Sequence, residues 1–174
     1  KYEIKIIMNL LENSILNYSN KIIDSGIKLN TIGSLNDLPH NCKKSIEKLK
    51  KATNKNKKIT LTIALSYSSR WEITEAIKKI LYDYKKNKLS AKNINEKVVN
   101  NYLYTNNLPY PDLLIRTGGE KRISNFLLWQ LAYSELYFSN INWPMFKKTD
   151  FYNAILEYQN RERRFGKIDE KIIQ

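Results

Sequence analysis

The stretch Asp112-Leu113-Leu114-Ile115-Arg116-Thr117-Gly118-Gly119-Glu120-Lys121-Arg122-Ile123-Ser124 leads into the apolar run Phe126-Leu127-Leu128-Trp129. A short apolar run behind Pro111, ended by Gly118-Gly119, reads as a buried strand that empties into a tight loop. Ser124 stands ahead of the next apolar run, where it is placed to cap a helix over 124–134. A strand end, a glycine loop, two guanidiniums and a helix N-terminus together make an oxyanion cradle. Backbone N–H groups and the helix dipole face the anion, and each guanidinium grips it with two bonds. The alternative is an αβ loop that happens to carry two surface arginines.

Composition favours the cradle. Of 30 Lys+Arg, only six are arginine: Arg70, Arg116, Arg122, Arg161, Arg163 and Arg164. In a chain so biased to lysine, arginine persists where a planar, permanently charged fork is needed. Five of the six fall within 116–122 and 161–164.

At 174 residues and 42% hydrophobic, the chain can bury one real core, which implies a single domain over 1–174. A net charge of +13 points to an anionic partner: nucleic acid, a membrane surface or a phosphorylated small molecule. Much of the excess lies in runs such as Lys55-Asn56-Lys57-Lys58 and Lys85-Lys86-Asn87-Lys88, which read as solvated turns. The single Cys42 excludes an internal disulfide and fits a reducing, cytoplasmic setting. His40, the only histidine, leaves histidine catalysis and histidine metal sites nearly excluded within this chain.

Working outward from the central stretch, Ile4, Ile7, Met8, Leu11, Ile15, Tyr18 and Ile22 recur at helical spacing, with Gly26 at the C-cap position. Ile6 and Leu10 widen the apolar stripe, so this helix is either core or the wall of an apolar cavity. Ile27–Ile32 reads as a strand closed by Gly33-Ser34. A helix from Pro39 to about Ala52 follows, with Ile46 and Leu49 inward. Ile59 to Tyr67 alternates as a strand, and Ser69 with Glu72 forms a capping-box pattern for a helix to about Lys86. A shorter helix is expected near 93–104, a strand at Leu136-Tyr137-Phe138, a turn at Trp143-Pro144, and a last helix from Phe151 to Arg164 capped by Asp150. Strands alternating with helices imply an α/β layer fold with a mostly parallel sheet flanked by helices. Glu135 lies among Tyr133, Leu136 and Tyr137, at the end of the 124–134 helix. A carboxylate in so apolar a neighbourhood needs a partner, either the arginine loop or a metal ion; a structural ion pair is the alternative.

Residues 111–138, Pro-Asp-Leu-Leu-Ile-Arg-Thr-Gly-Gly-Glu-Lys-Arg-Ile-Ser-Asn-Phe-Leu-Leu-Trp-Gln-Leu-Ala-Tyr-Ser-Glu-Leu-Tyr-Phe, resemble the long signature of the cis-prenyltransferases, of the bacterial undecaprenyl diphosphate synthase type. The resemblance continues through Trp143-Pro144, Asp150-Phe151 and Asn160-Arg161-Glu162-Arg163-Arg164-Phe165-Gly166, and covers essentially the whole chain. It implies a parallel sheet flanked by helices, an apolar tunnel for the growing chain, and a homodimer. It further implies repeated Mg²⁺-dependent condensation of isopentenyl diphosphate onto an allylic diphosphate such as farnesyl diphosphate. The product would be a cis-polyprenyl diphosphate lipid carrier, with transient membrane-surface contact on its release. By the same resemblance, Arg116, Arg122 and Ser124 hold the diphosphate of isopentenyl diphosphate, and Ile123 contributes through its backbone. Glu120 supports that loop, Glu135 belongs to the magnesium site, and Arg163, Arg164 and Gly166 form a segment brought to the active site, in part across the dimer.

Two departures stand out. Where bacterial members often read Asn-Tyr-Gly-Gly-Arg, this chain has Ser66-Tyr67-Ser68-Ser69-Arg70. The opening Met-Asp-Gly-Asn-X-Arg-Trp motif, with its essential aspartate, and the later Ser-X-Glu-Asn-Trp segment are both absent. The sequence is therefore expected to be the C-terminal part of such an enzyme, with no catalytic aspartate of its own and no turnover in isolation. A non-catalytic partner subunit is the alternative within the family, but the intact Arg116–Ser124 loop argues against it. A nucleic-acid-binding module is the alternative outside it. No glycine-aromatic RNA-binding motif is present, so no nucleic-acid partner is expected. A P-loop fails on spacing, because Gly118-Gly119-Glu120-Lys121-Arg122 lacks the G-x-x-x-x-G-K-[ST] frame.

Overall fold

The computed structural model describes residues 2–162. These contain five α-helices and four strands, and the chain divides into two compact units, 1–107 and 108–174.

In the first unit, the long apolar stripe forms α1 (Tyr2–Asp24), ended at Gly26, whose φ of +75° is a left-handed conformation that glycine adopts without strain. Strand β1 (Ile27–Ile32) leads to α2 (His40–Ala52) and strand β2 (Ile59–Ala64). The two strands pair in parallel, in a register from Ile27↔Ile59 to Ile32↔Ala64. Ile15 of α1, Leu29 of β1, and Cys42, Ile46 and Leu49 of α2 close over one another with Leu38. Met8, Leu11, Ile22 and Ile63 pack around them. Full burial of a side chain such as Ile46 contributes about 1.5–3 kcal/mol, so this α1–β1–α2 layer is what holds the unit. Thr53 adds a polar clasp: its buried hydroxyl accepts from the Leu29 N–H at 3.1 Å and donates to the Leu49 carbonyl at 2.8 Å. Strand β2 stops at Ala64, short of the expected Tyr67, because Ser66 turns the backbone to a φ of +46°.

Helix α3 (Ser69–Lys85) starts where the sequence suggested, but not through a capping box. Its N-cap is Ser68, with no side-chain cap bond. The Glu72 side chain is fully buried. Its Oε2 accepts from the Tyr67 hydroxyl at 2.6 Å and its Oε1 from the Tyr104 N–H at 2.8 Å. Those two donors hold the carboxylate more firmly than an exposed helix end does, and they tie the β2 exit to the turn after α4 (Glu96–Tyr102). Glu72→Ala takes the acceptor from both part-buried donors and empties a fully buried position, so unfolding is expected to become easier by about 2–4 kcal/mol. Glu72→Gln, which keeps one acceptor, should lose less than half of that. Urea unfolding of the two variants measures both.

In the second unit, β3 (Leu113–Arg116) and β4 (Glu135–Phe138) pair in parallel, with Leu113 opposite Glu135 and Arg116 opposite Phe138. The expected helix over 124–134 is not there. Ser124, Asn125 and Leu127 take positive φ angles of 47°, 63° and 49°, and a right-handed helix cannot run through left-handed residues. The segment is a series of turns, with a helix-like bond from the Leu131 N–H to the Leu127 carbonyl at 2.9 Å. Glu135 consequently opens β4 instead of closing a helix. Helix α5 (Lys148–Gln159) begins earlier and ends sooner than the expected Phe151–Arg164. Asp150 sits one turn inside it, accepting from the Lys147 N–H at 2.7 Å. The expected α/β class with parallel strands is found, the strands forming two parallel pairs among the described residues.

Candidate active site

The parallel β3–β4 pair sends Arg116 and Ser139 out of the sheet side by side, and the Ser139 N–H bonds the Arg116 carbonyl at 2.8 Å. The loop after β3 is then pinned to the loop after β4. The Gly118 N–H donates to the Ile141 carbonyl and the Gly119 N–H to the Ser139 carbonyl, each at 2.9 Å. Both glycines hold positive φ, +89° and +79°, the conformation that lets successive N–H groups turn toward the second loop. This corrects the cradle read from sequence: the two glycine N–H groups are already satisfied and do not face an anion. With no helix starting at Ser124, there is no helix dipole to face one either.

The side chains gather more closely than the sequence implied. Arg116 Nη1 donates to the Ser124 hydroxyl at 2.8 Å and to the Arg122 carbonyl, while Arg122 Nη1 pairs with Glu120. Four of the expected residues, Arg116, Glu120, Arg122 and Ser124, therefore form one bonded loop. Ile123 lies in it between Arg122 and Ser124, its carbonyl accepting from the Phe126 N–H at 3.0 Å. The Arg122–Glu120 pair is exposed, 62% and 50% at the side chains. Such a pair contributes little to stability, so an incoming polyanion can take over the guanidinium at small cost. A hydroxyl has one proton and two lone pairs. Arg116 uses a lone pair of Ser124, which keeps the Ser124 O–H available as a donor. The loop thus offers two guanidiniums and a hydroxyl from one side.

Glu135 finds an arginine, but not one from that loop. Arg161 Nη1 bonds Glu135 Oε2 at 2.9 Å and the Leu136 carbonyl at 3.0 Å, and its Nη2 bonds Glu157 at 2.5 Å. The Glu157 and Glu135 carboxylates hold the Arg161 guanidinium above its ordinary pKa. Arg161 was not among the expected site residues, although the sparsity of arginine already singled it out. Arg163, Arg164 and Gly166 lie outside the described residues. Among the described residues no group of three Asp, Glu, His or Cys side chains converges on a metal position. No helix among them is long and apolar enough to cross a membrane.

Comparison with known proteins follows the same residues. The prenyltransferase family model described as undecaprenyl diphosphate synthase matches residues 1–166, through both units. A tritrans,polycis-undecaprenyl-diphosphate synthase (geranylgeranyl-diphosphate specific) of Picrophilus torridus is 46% identical over 166 residues, covering 94% of this chain and 65% of its own length. An isoprenyl transferase of Chlorobaculum tepidum is 44% identical over 172 residues, covering 99% of this chain and again 65% of its own length. The chain thus spans just under two thirds of these relatives. Among solved structures, lavandulyl diphosphate synthase from Lavandula x intermedia, crystallised with dimethylallyl diphosphate, superposes with a TM-score of 0.93 at 32% identity. The match covers 96% of this chain and 72% of that one. With the model matched across both units and relatives this similar over nearly its whole length, the chain belongs to the undecaprenyl diphosphate synthase family of prenyltransferases.

Proposed function

We propose that this chain, as a single domain over 1–174, carries the isopentenyl diphosphate half of a cis-prenyltransferase site. The reaction is the repeated addition of isopentenyl diphosphate to an allylic diphosphate such as farnesyl diphosphate, giving a cis-polyprenyl diphosphate lipid carrier. The observation that carries this reading is the bonded Arg116–Arg122–Ser124 cluster within a chain of this family. The allylic class of the second substrate is supported by the dimethylallyl diphosphate in the lavandulyl diphosphate synthase crystal.

A diphosphate brings several negative charges and a set of terminal oxygens. Arg116 and Arg122 take them as charge-assisted, two-pronged bonds, and Ser124 donates its hydroxyl proton to a third oxygen. Ile123 lines the same turn through its backbone. Glu120 holds the Arg122 guanidinium in place until the anion arrives, and by the family resemblance Arg163, Arg164 and Gly166 belong to the same site.

Mg²⁺ fits this arrangement in one way. A magnesium ion that shares a diphosphate keeps several waters and takes one or two protein carboxylates. Glu135 is one such carboxylate, with Oε2 held by Arg161 and the other oxygen able to bind a hard cation. When bound, the ion draws off negative charge from phosphate oxygens. The protein works as a homodimer in the cytoplasm, touching a membrane surface when it delivers its apolar product.

The test is incubation of the native polypeptide with isopentenyl diphosphate, farnesyl diphosphate and Mg²⁺, with the products read by mass spectrometry. A ladder of polyprenyl diphosphates is expected. A polypeptide limited to these 174 residues is expected to give no product, since none of its aspartates stands in a Met-Asp-Gly-Asn motif. Absence of any prenyl product from the native polypeptide would refute the reading.

A further inference from the structure

We propose that Arg161 is a positioning residue for Glu135, fixing the carboxylate at the head of β4 so that one oxygen faces a divalent cation; this rests on the reading of Glu135 as the magnesium carboxylate. Three acceptors meet on one guanidinium: Glu135 Oε2 at 2.9 Å, the Leu136 carbonyl at 3.0 Å and Glu157 at 2.5 Å. They come from β4 and from the last turn of α5, so the planar fork spans two elements and leaves its own orientation no freedom. The backbone of Glu135 is fixed as well, its N–H bonded to the Asp112 carbonyl at 2.9 Å across to the β3 side. A side chain held at both ends presents its remaining oxygen in one direction.

The charge balance matters as much as the geometry. Arg161 serves two carboxylates, so the Glu135–Arg161–Glu157 group keeps one net negative charge. A guanidinium devoted to Glu135 alone would cancel the attraction for a cation; a shared one orients the carboxylate and leaves that attraction in place. Arg161 and Glu135 are 28% and 29% exposed at their side chains, against 54% for Glu157. The pair that matters for orientation is therefore the less hydrated one, and Glu157 is the open end of the fork. Partners of this kind, behind a metal ligand, commonly change metal affinity by 10- to 100-fold when removed.

The experiment measures Mn²⁺ affinity by electron paramagnetic resonance on the native polypeptide with isopentenyl diphosphate present, beside steady-state kinetics and melting temperature. Arg161→Ala and Glu135→Gln are each expected to weaken Mn²⁺ binding by about 10-fold or more, and the double variant by no more than the worse single one. For Arg161→Ala, the KM for isopentenyl diphosphate at saturating Mg²⁺ should stay within about threefold, because the Arg116 loop is untouched. Should Arg161→Ala fold poorly, Arg161→Lys keeps the charge, but its three donors diverge from one nitrogen and cannot reproduce the planar fork that spans β4 and α5. It is expected to weaken Mn²⁺ in the same direction with an unchanged melting temperature. Weakened Mn²⁺ binding in Glu135→Gln but wild-type affinity in the folded Arg161 variants overturns the proposal alone. Wild-type affinity in Glu135→Gln overturns it together with the reading of Glu135.

Discussion

Arg116→Ala is expected to raise the KM for isopentenyl diphosphate by about 30- to 150-fold and to leave kcat within about threefold. Arg116 makes two bonds in the loop, to the Ser124 hydroxyl and to the Arg122 carbonyl, and on the proposed reading it supplies a guanidinium to the anion. A charge-assisted hydrogen bond contributes about 1.5–3 kcal/mol. The site is half-open, with Arg116 half-buried and Arg122 exposed, so solvent screening brings the loss of two such bonds to about 2–3 kcal/mol. In the proposed reaction the effect falls on KM, because the product keeps one diphosphate, the one that arrives on the isopentenyl unit. Its charge is held equally in the ground state and the transition state, which makes its binding uniform. Arg116→Lys should recover little: the three donors of an ammonium diverge from one nitrogen and cannot give the planar, two-pronged grip of a guanidinium while also bonding Ser124 and the Arg122 carbonyl. A steady-state titration of isopentenyl diphosphate at fixed allylic diphosphate measures both variants.

Gly33→Ala is expected to be the most damaging substitution for stability in the first unit. Gly33 ends β1 at a φ of +105°, where an L-residue is strained. A Cβ there would lie 2.1 Å from the Leu65 carbonyl oxygen and 3.0 Å from the Leu65 carbonyl carbon and the Tyr67 Cβ. The obstacle is backbone, fixed by the Leu65 N–H bond to the Ile32 carbonyl at 2.9 Å and by Ser34 N–H to the Ser66 carbonyl at 3.2 Å. Relief requires opening the end of the β1–β2 pair and shifting the 65–67 segment, which carries Tyr67 and its bond to Glu72. A cost of about 3–5 kcal/mol follows, in the range of severe single substitutions, and with it a fall in melting temperature of about 6–15 °C. Differential scanning calorimetry reads it, and a fall below about 3 °C would mean that the close approach relaxes far more easily than its backbone bonds imply.

The elements that the sequence revealed are those whose side chains speak for themselves. Met8, Leu11, Ile15 and Ile22 of the α1 stripe, the β1 run and the inward pair Ile46 and Leu49 pack where periodicity put them, whereas Ile7 and Tyr18 of the same stripe are exposed. Arg116, Arg122 and Ser124 came together because a loop of seven residues leaves them little room to separate. The failures have a common origin in long-range partners. Ser124 and the apolar run behind it have a helix start signal, yet three left-handed residues unmake the helix, and nothing local in Ser124-Asn125-Phe126-Leu127 announces them. The glycine N–H groups looked like anion donors until the loop after β4 claimed them. Ser69 and Glu72 had the spacing of a capping box, but Tyr67 and Tyr104, the latter 32 residues away, had the stronger claim on the carboxylate. For Glu135, an apolar setting did predict a partner; which arginine supplied it depended on the return of α5 to β4.

The central claim is that the loop from Arg116 to Ser124 binds the diphosphate of isopentenyl diphosphate. Isothermal titration of the native polypeptide with isopentenyl diphosphate, alone and with Mg²⁺, against the Arg116→Ala variant tests it most directly. Binding by the native protein is expected, with an affinity about 30-fold or more weaker in the variant and the melting temperature preserved. Equal affinity in the two proteins would contradict it and would move the diphosphate site elsewhere.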